Sequence, residues 1–208
     1  MKLGERTSPG SGLRGAWAIL PTGSCEAHGP HLPLDTDVRI SEEMAMRAAQ
    51  RHGNAVVLPT LPYGVTHYAS PFPGTVSVPA EVVSATIVAI GERVAVEGAI
   101  GLAVANSHFE PAHIDAIFAA LATLRTRTSI PLVFPNVASR RYADRLGAEF
   151  ASGACHAGAY ESSLVLAMAP RLVDETARST LPEIPANLAA AIAREMGRYG
   201  VTCNTIVP

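Results

Sequence analysis

The sequence predicts an α/β protein: a three-layer α/β/α arrangement with a mostly parallel central sheet. Three observations carry this. The apolar runs Ala16 to Leu20, Ala55 to Leu58, Ile100 to Ala105 and Leu132 to Phe134 have strand length and are apolar throughout, as strands covered on both faces are. Segments of helical length separate them, so strand and helix alternate along the chain. Polar residues gather directly after the first and third runs, and sheets of this kind bind ligands at the carboxyl ends of their strands.

Each element has its own signal. The first strand runs into PTGSCEAHGPHLPLDTD, Pro21 to Asp37, and a helix is expected from about Val38 to Arg51, ended by Gly53. A strand follows from Ala55 to Leu58, with Pro59 after it, and Thr60 to Val78 reads as a long loop rich in Pro, Tyr and Gly. Pro79 suits the first turn of a helix reaching about Glu97, whose Ala/Val-rich surface fits burial or a subunit contact. The strand at Ile100, a helix with Pro111 in its first turn, a strand at Leu132 and helices near Tyr142 to Phe150 and Ala186 to Tyr199 complete the pattern. No repeat, low-complexity segment or linker interrupts it, so residues 1–208 read as one domain.

Composition narrows the function classes. Hydrophobic residues make up 48% and charged residues 16% of the chain, at a mean hydropathy of +0.22, which predicts apolar surface covered by other subunits. A net charge of −2, with no basic cluster beyond Arg140-Arg141, argues against a nucleic-acid partner. The cysteines Cys25, Cys155 and Cys203 form no CxxC pair, so neither a disulfide framework nor a thiolate zinc site is indicated and a reducing compartment is expected. Without a signal-peptide core or an apolar run of membrane length, the expected location is cytoplasmic, with no membrane partner.

The chemistry lies in two clusters. Glu26 and His28 are two apart, so in an extended segment both side chains leave on the same side. Gly29 and Pro30 then turn the chain, and a short loop returns Asp35 and Asp37 to the site. The second cluster, Asn106-Ser107-His108-Phe109-Glu110, again places a histidine and a carboxylate two apart beyond a buried strand. Glu26, His28, Asp37, His108 and Glu110 then meet. Such N/O ligands without thiolate suit Zn²⁺ or Mn²⁺, and suit two ions if Asp37, between the clusters, bridges them.

These residues carry a resemblance. GSCEAHGPHLPLDTD is similar to the signature GSxEQHGPHLPLxTD of the creatininase (creatinine amidohydrolase) family. Tyr63 to His67 and Phe72 to Ser77 resemble its YGxSxxH and FPGTxS segments, Asn106 to Glu110 its NGHYEN motif, and His156 to Ser163 its HAGxxETS motif. The resemblance implies a homo-oligomer, commonly a hexamer, and two divalent metal ions per chain, Zn and/or Mn. It places Glu26, Asp37 and His108 on one ion and His28, Asp37 and Glu110 on the other. His156 becomes the proton shuttle, with Glu161 orienting the site or binding metal through water. Phe109 and Tyr160 are expected against the substrate, and His67, in the long loop, serves either a substrate contact or a structural hydrogen bond.

The remaining histidines have plainer readings. His31 is expected behind the ligands, fixing a carboxylate or the loop. His113, five residues after His108, serves either a substrate contact or a helix cap, and His52 reads as a C-terminal cap. Ala27 in place of the signature Gln, Pro111-Ala112-His113 after the second metal motif, and Trp17 as the sole tryptophan depart from creatininase itself, which disfavours creatinine as substrate. The chain ends soon after the last expected helix, so part of the usual active-site wall is expected to be missing or supplied by a neighbour. The expected activity is cleavage of a C–N bond of a small cyclic amide or formamide by hydroxide bridging two ions. The alternatives are a metallopeptidase of the mycofactocin-maturation type and a non-catalytic metal-binding relative.

Overall fold

The computed structural model describes residues 1–143, 145–146 and 156–181. Its centre is a parallel sheet in the order β2-β1-β3-β4, built from β1 (Trp17–Thr22), β2 (Ala55–Val57), β3 (Gly101–Asn106) and β4 (Leu132–Val133). Side chains alternate along the strands, which decides what each face buries. Ala18, Leu20, Val56, Leu102 and Val104 join the core beneath α2 (Ala80–Val96) and α3 (Pro111–Arg127). Ile19, Ala55 and Val57 point the other way, onto Ala45 and Ala49 of α1 (Thr36–His52). Helices therefore cover both faces, as the apolar runs require.

The helices follow their sequence signals. In α3 the buried residues His113, Ala116, Ile117, Ala120, Leu121 and Leu124 recur at three- and four-residue spacing, and Pro111 sits at the first helical position. Arg125 and Arg127 occupy its last turn, where they complement the helix dipole. α1 ends at Gly53 with φ of 79°, and His52 lies in its last turn. It begins earlier than the apolar pattern indicates, so Thr36 and Asp37 form its buried first turn. Pro79 lies just outside α2 as its N-cap.

A short turn, α4 (Arg140–Ala143), is followed by α5 (Ala159–Met168) and α6 (Glu175–Ser179). Sequence periodicity gave no sign of α5. Val165 on α5 packs with Leu32, Ile40 and Val173, while Glu161 and Ser162 are buried on the same helix. The helix expected from Tyr142 to Phe150 falls mostly outside the described residues, and that from Ala186 to Tyr199 wholly outside. Among the described residues no helix is long and apolar enough to cross a membrane.

Strand register positions the site. Trp17 pairs with Gly101 and Thr22 with Asn106, so β1 and β3 end side by side. The Thr22 hydroxyl donates to Asn106 Oδ1 at 3.0 Å, locking the two ends together. Leu102 is fully buried on β3, so Leu102→Ala is expected to cost about 2–5 kcal/mol in urea unfolding. Val96→Ala, at a side chain 74% exposed, should change stability by no more than about 0.5 kcal/mol in the same assay.

Candidate metal centre

The exits of β1 and β3 fold against the start of α1. A Cβ on Gly23 would lie 2.6 Å from the Val38 nitrogen, so only glycine allows this approach. The Ser107 hydroxyl donates to the Asp37 main-chain oxygen at 2.6 Å. Asn106 turns the β3 exit back on itself: its Oδ1 accepts from His108 N at 3.2 Å, and its Nδ2 donates to His108 O at 2.6 Å. These contacts put Asp37 between Glu26 and His28 on one side and His108 on the other.

Each imidazole has one nitrogen committed elsewhere. His28 Nδ1 donates to Glu26 O at 3.1 Å, which leaves Nε2 facing Asp37 Oδ1 at 3.1 Å and Glu161 Oε2 at 3.8 Å. His108 Nε2 donates to Val65 O at 2.7 Å, which leaves Nδ1 facing Asp37 Oδ2 at 3.0 Å and Glu26 Oε1 at 3.2 Å. Despite that proximity, Asp37 Oδ2 accepts no hydrogen bond among the described residues. Lone pairs thus face lone pairs, an arrangement that needs a proton or a cation between them. No described lysine or arginine pairs with Glu26, Asp37, Glu110 or Glu161.

The donor set fits divalent cations. Three trios each bring ligand atoms within 4.8 Å of one another: Glu26, Asp37 and His108; His28, Asp37 and Glu161; Glu26, His28 and His156. All donors are nitrogen or carboxylate oxygen, the set that Zn²⁺ and Mn²⁺ accept.

Without a cation, protons take its place. Burial alone would lower the pKa of His28, but Asp37 and Glu161 override it and raise the group to about 10. His108 likewise resists burial and is raised well above its usual value by Glu26 and Asp37. Asp37 is held well below the carboxylate range by His28 and His108, against the opposing effect of burial. Burial pushes Glu161 up to about 8. His156 falls to about 4 through burial and the adjacent His28, whose ring centroid is 4.2 Å away.

Other predicted residues lie around this centre. Glu110 stands apart from the trios and accepts the main-chain N–H groups of His67 at 3.0 Å and Tyr68 at 3.4 Å. Its expected place beside His28 and Asp37 is occupied by Glu161. His156 Nε2 donates to Ala27 O at 2.9 Å, with Nδ1 3.5 Å from Glu26 Oε1. The His67 side chain is 67% exposed, with Nδ1 3.5 Å from Glu110. Phe109 and Tyr160 pack half-buried in one apolar group with Leu146.

His31 Nε2 meets the Ser162 hydroxyl at 2.9 Å, behind the centre. Asp35 turns away and pairs with Arg39 at 2.7 Å, so only one of the two aspartates reaches the centre. Thr66, whose hydroxyl donates to Glu26 Oε2, was not foreseen, although it lies within the YGVTH segment.

Fold and donor set together define an α/β metal-binding protein with its centre at the strand ends. The creatininase family model, described as creatinine amidohydrolase, matches residues 12–204, and the chain belongs to that family. It is 34% identical over 182 residues to a mycofactocin precursor peptide peptidase of Mycobacterium ulcerans, covering 82% of this chain and 67% of that protein. It is 31% identical to a creatinine amidohydrolase of Pseudomonas putida, covering 75% of this chain and 65% of that protein. A match to the peptidase of Mycolicibacterium smegmatis covers only 44% of that protein, so the chain spans about half to two thirds of these relatives.

A crystal structure of creatininase superimposes with a TM-score of 0.69 at 27% identity, covering 88% of this chain and 77% of the other. Creatininase structures of a Zn-Zn type and with Mn match at TM-scores of 0.67 and 0.68, both at 26% identity.

Protons on His28, His108 and Glu161 compete with a cation, so binding must release them. Zinc affinity, measured against a chromophoric chelator, is expected to rise about tenfold per pH unit for each proton released between about pH 6 and 8. In the metal-free chain the raised His28 and Glu161 values stabilise the fold fully below their unfolded values. That stability is lost as pH rises through about 8 for Glu161 and about 10 for His28. The melting temperature of the metal-free chain should therefore fall as pH rises above neutrality, and a pH-independent zinc affinity would contradict the assignment.

Proposed function

We propose that this chain is a metal-dependent amidohydrolase that holds two divalent ions, Zn and/or Mn, and cleaves a C–N bond of a small cyclic amide or formamide. One observation carries the reading: the two oxygens of Asp37 lie 3.1 Å from His28 Nε2 and 3.0 Å from His108 Nδ1, so one carboxylate serves two ligand groups. We assign Glu26, Asp37 and His108 to one ion and His28, Asp37 and Glu161 to the other. Glu110 remains with the loop whose N–H groups it accepts. The family match and the Zn and Mn forms of related creatininases support this assignment.

When bound, such ions supply Lewis acidity toward an amide carbonyl and acidify water. The chain's own groups handle the proton. His156 holds its Nε2–H on Ala27 O, so its Nδ1 lone pair faces the centre, and burial favours the neutral ring. It accepts at Nδ1 the proton of the water that adds to the carbonyl carbon and passes it to the leaving nitrogen as the C–N bond breaks. Glu161 accepts the N–H of Ala157, a non-glycine residue at φ of 52°, and so fixes the turn that presents His156. Phe109, Tyr160 and His67 form the substrate side of the centre.

A second reading, a metallopeptidase acting on a modified peptide, is favoured by the 34% and 38% identities to mycofactocin precursor peptide peptidases. Both readings share the chemistry and differ in the acyl group. Exposed apolar side chains at Val82, Val96, Phe118 and Val133 support the expected self-association.

Metal analysis of the native chain and His108→Ala, with amine release from cyclic amides, formamides and short peptides, tests the proposal. Two ions per native chain, depleted in the variant, and turnover of one substrate class are expected. His156→Asn should keep its metal and lose about 10²–10⁴-fold in turnover. A native chain that takes up neither Zn²⁺ nor Mn²⁺ would overturn the reading.

A further inference from the structure

Four consecutive residues beyond β2 are tied to the metal centre. Val65 O accepts from His108 Nε2, the Thr66 hydroxyl donates to Glu26, and the His67 and Tyr68 N–H groups donate to Glu110. Thr66 N is itself held by the Ser77 hydroxyl at 2.9 Å. This strap supplies the acceptor that orients one ligand ring and a donor on one ligand carboxylate. Its placement therefore sets the geometry of both.

We infer that His113 is the positioning residue that anchors this strap and, through Val65, aims the ring of His108. The inference rests on the reading of the site as a metal centre, and it concerns a residue outside every ligand trio. His113 lies in the first turn of α3, 1% exposed, with its ring edge-on to His108 at a centroid distance of 4.9 Å. Its Nδ1 accepts the N–H of Val65 at 3.3 Å, while Val65 O takes the His108 proton at 2.7 Å. The two polar groups of a single residue are thus held between two imidazoles.

Two further observations distinguish an anchor from a filled core position. With Nδ1 accepting, the His113 proton sits on Nε2, which is buried and has no partner among the described residues. A leucine or phenylalanine would fill the space without that unmet donor, but would leave the Val65 N–H unpaired. The strap also approaches very closely: a Cβ on Gly64 would lie 2.9 Å from His113 Nδ1 and 3.0 Å from Gly23 O. Glycine lets the main chain rest on the imidazole, and an alanine there would lift it away.

The test compares His113→Phe, which keeps a ring but no acceptor, with His113→Asn, whose Oδ1 stands near the place of Nδ1. Gly64→Ala provides an independent displacement of the strap. In the metal-free protein, hydrogen exchange at the Val65 amide should accelerate at least about tenfold in His113→Phe and Gly64→Ala and return toward native in His113→Asn. Zinc affinity should fall about 10–100-fold in the first two and recover in the third, with a parallel change in the visible spectrum of the Co²⁺-loaded chain. Native Val65 exchange and native zinc affinity in His113→Phe would overturn the inference, as would failure of His113→Asn to improve on it. Absence of zinc binding in the native chain would overturn the metal reading itself, a distinct result from native affinity in His113→Phe.

Discussion

Buried carboxylates that no described lysine or arginine pairs with are the constraint on which the rest of this structure depends. Glu26, Asp37 and Glu161 are each at most 3% exposed, and no described lysine or arginine reaches them. Burying an ionised carboxylate costs several kcal/mol even after relaxation, against a net stability of about 5–15 kcal/mol for a whole domain. Such groups would consume that margin unless something positive lies among them or, as at Glu161, a proton is kept. His28 and His108 can each take a proton, but their lone pairs already converge on the same oxygens that a divalent cation would use. A chain selected for stability alone would fill this space with apolar side chains. Here the imidazole tautomers are instead fixed from behind, by Glu26 O and Val65 O, so that the donors face inward.

The fold delivers this arrangement through the register of a parallel sheet. β1 and β3 pair along their length and finish together at Thr22 and Asn106, and their exit loops hold Glu26, His28 and His108. The third contribution, Asp37, comes from the first turn of α1, brought close by Gly23. The fourth, Glu161, comes from α5, which packs on α1 through Val165 and Ile40. Apolar packing on either face of the sheet thus provides the rigidity, and the strand ends provide the site. The loop from Thr60 to Val78 lies across these ends and is held by the same polar groups that surround the centre.

Much of this was legible in the residues, and the gaps have physical causes. Apolar runs gave the strands because a sheet covered on both faces admits little else, and the polar clusters after two of them marked the site. Asp35 and Asp37 looked alike, but Asp35 is the N-cap of α1 and turns to Arg39, while Asp37 lies in the buried first turn and faces inward. Spacing could not distinguish Glu110 from Glu161 as neighbour of His28 and Asp37. Glu110 is the N-cap of α3 and is taken by two main-chain N–H groups, contacts across more than 40 residues that local pattern does not encode. α5 was missed because it buries the polar Glu161 and Ser162 and exposes Ala159, Ser163 and Ala167, so no apolar period marks its inner face. The contacts of Thr66 and His113 were not legible for the same reason as those of Glu110, since they are hydrogen bonds between distant segments.

Anomalous diffraction from crystals of the Zn²⁺- or Mn²⁺-loaded chain tests the central claim most directly, because it locates the ions without reference to any substrate. The account predicts two peaks flanking Asp37, one beside Glu26 and His108 and the other beside His28 and Glu161. A single peak away from Asp37, or none at saturating metal, would contradict it.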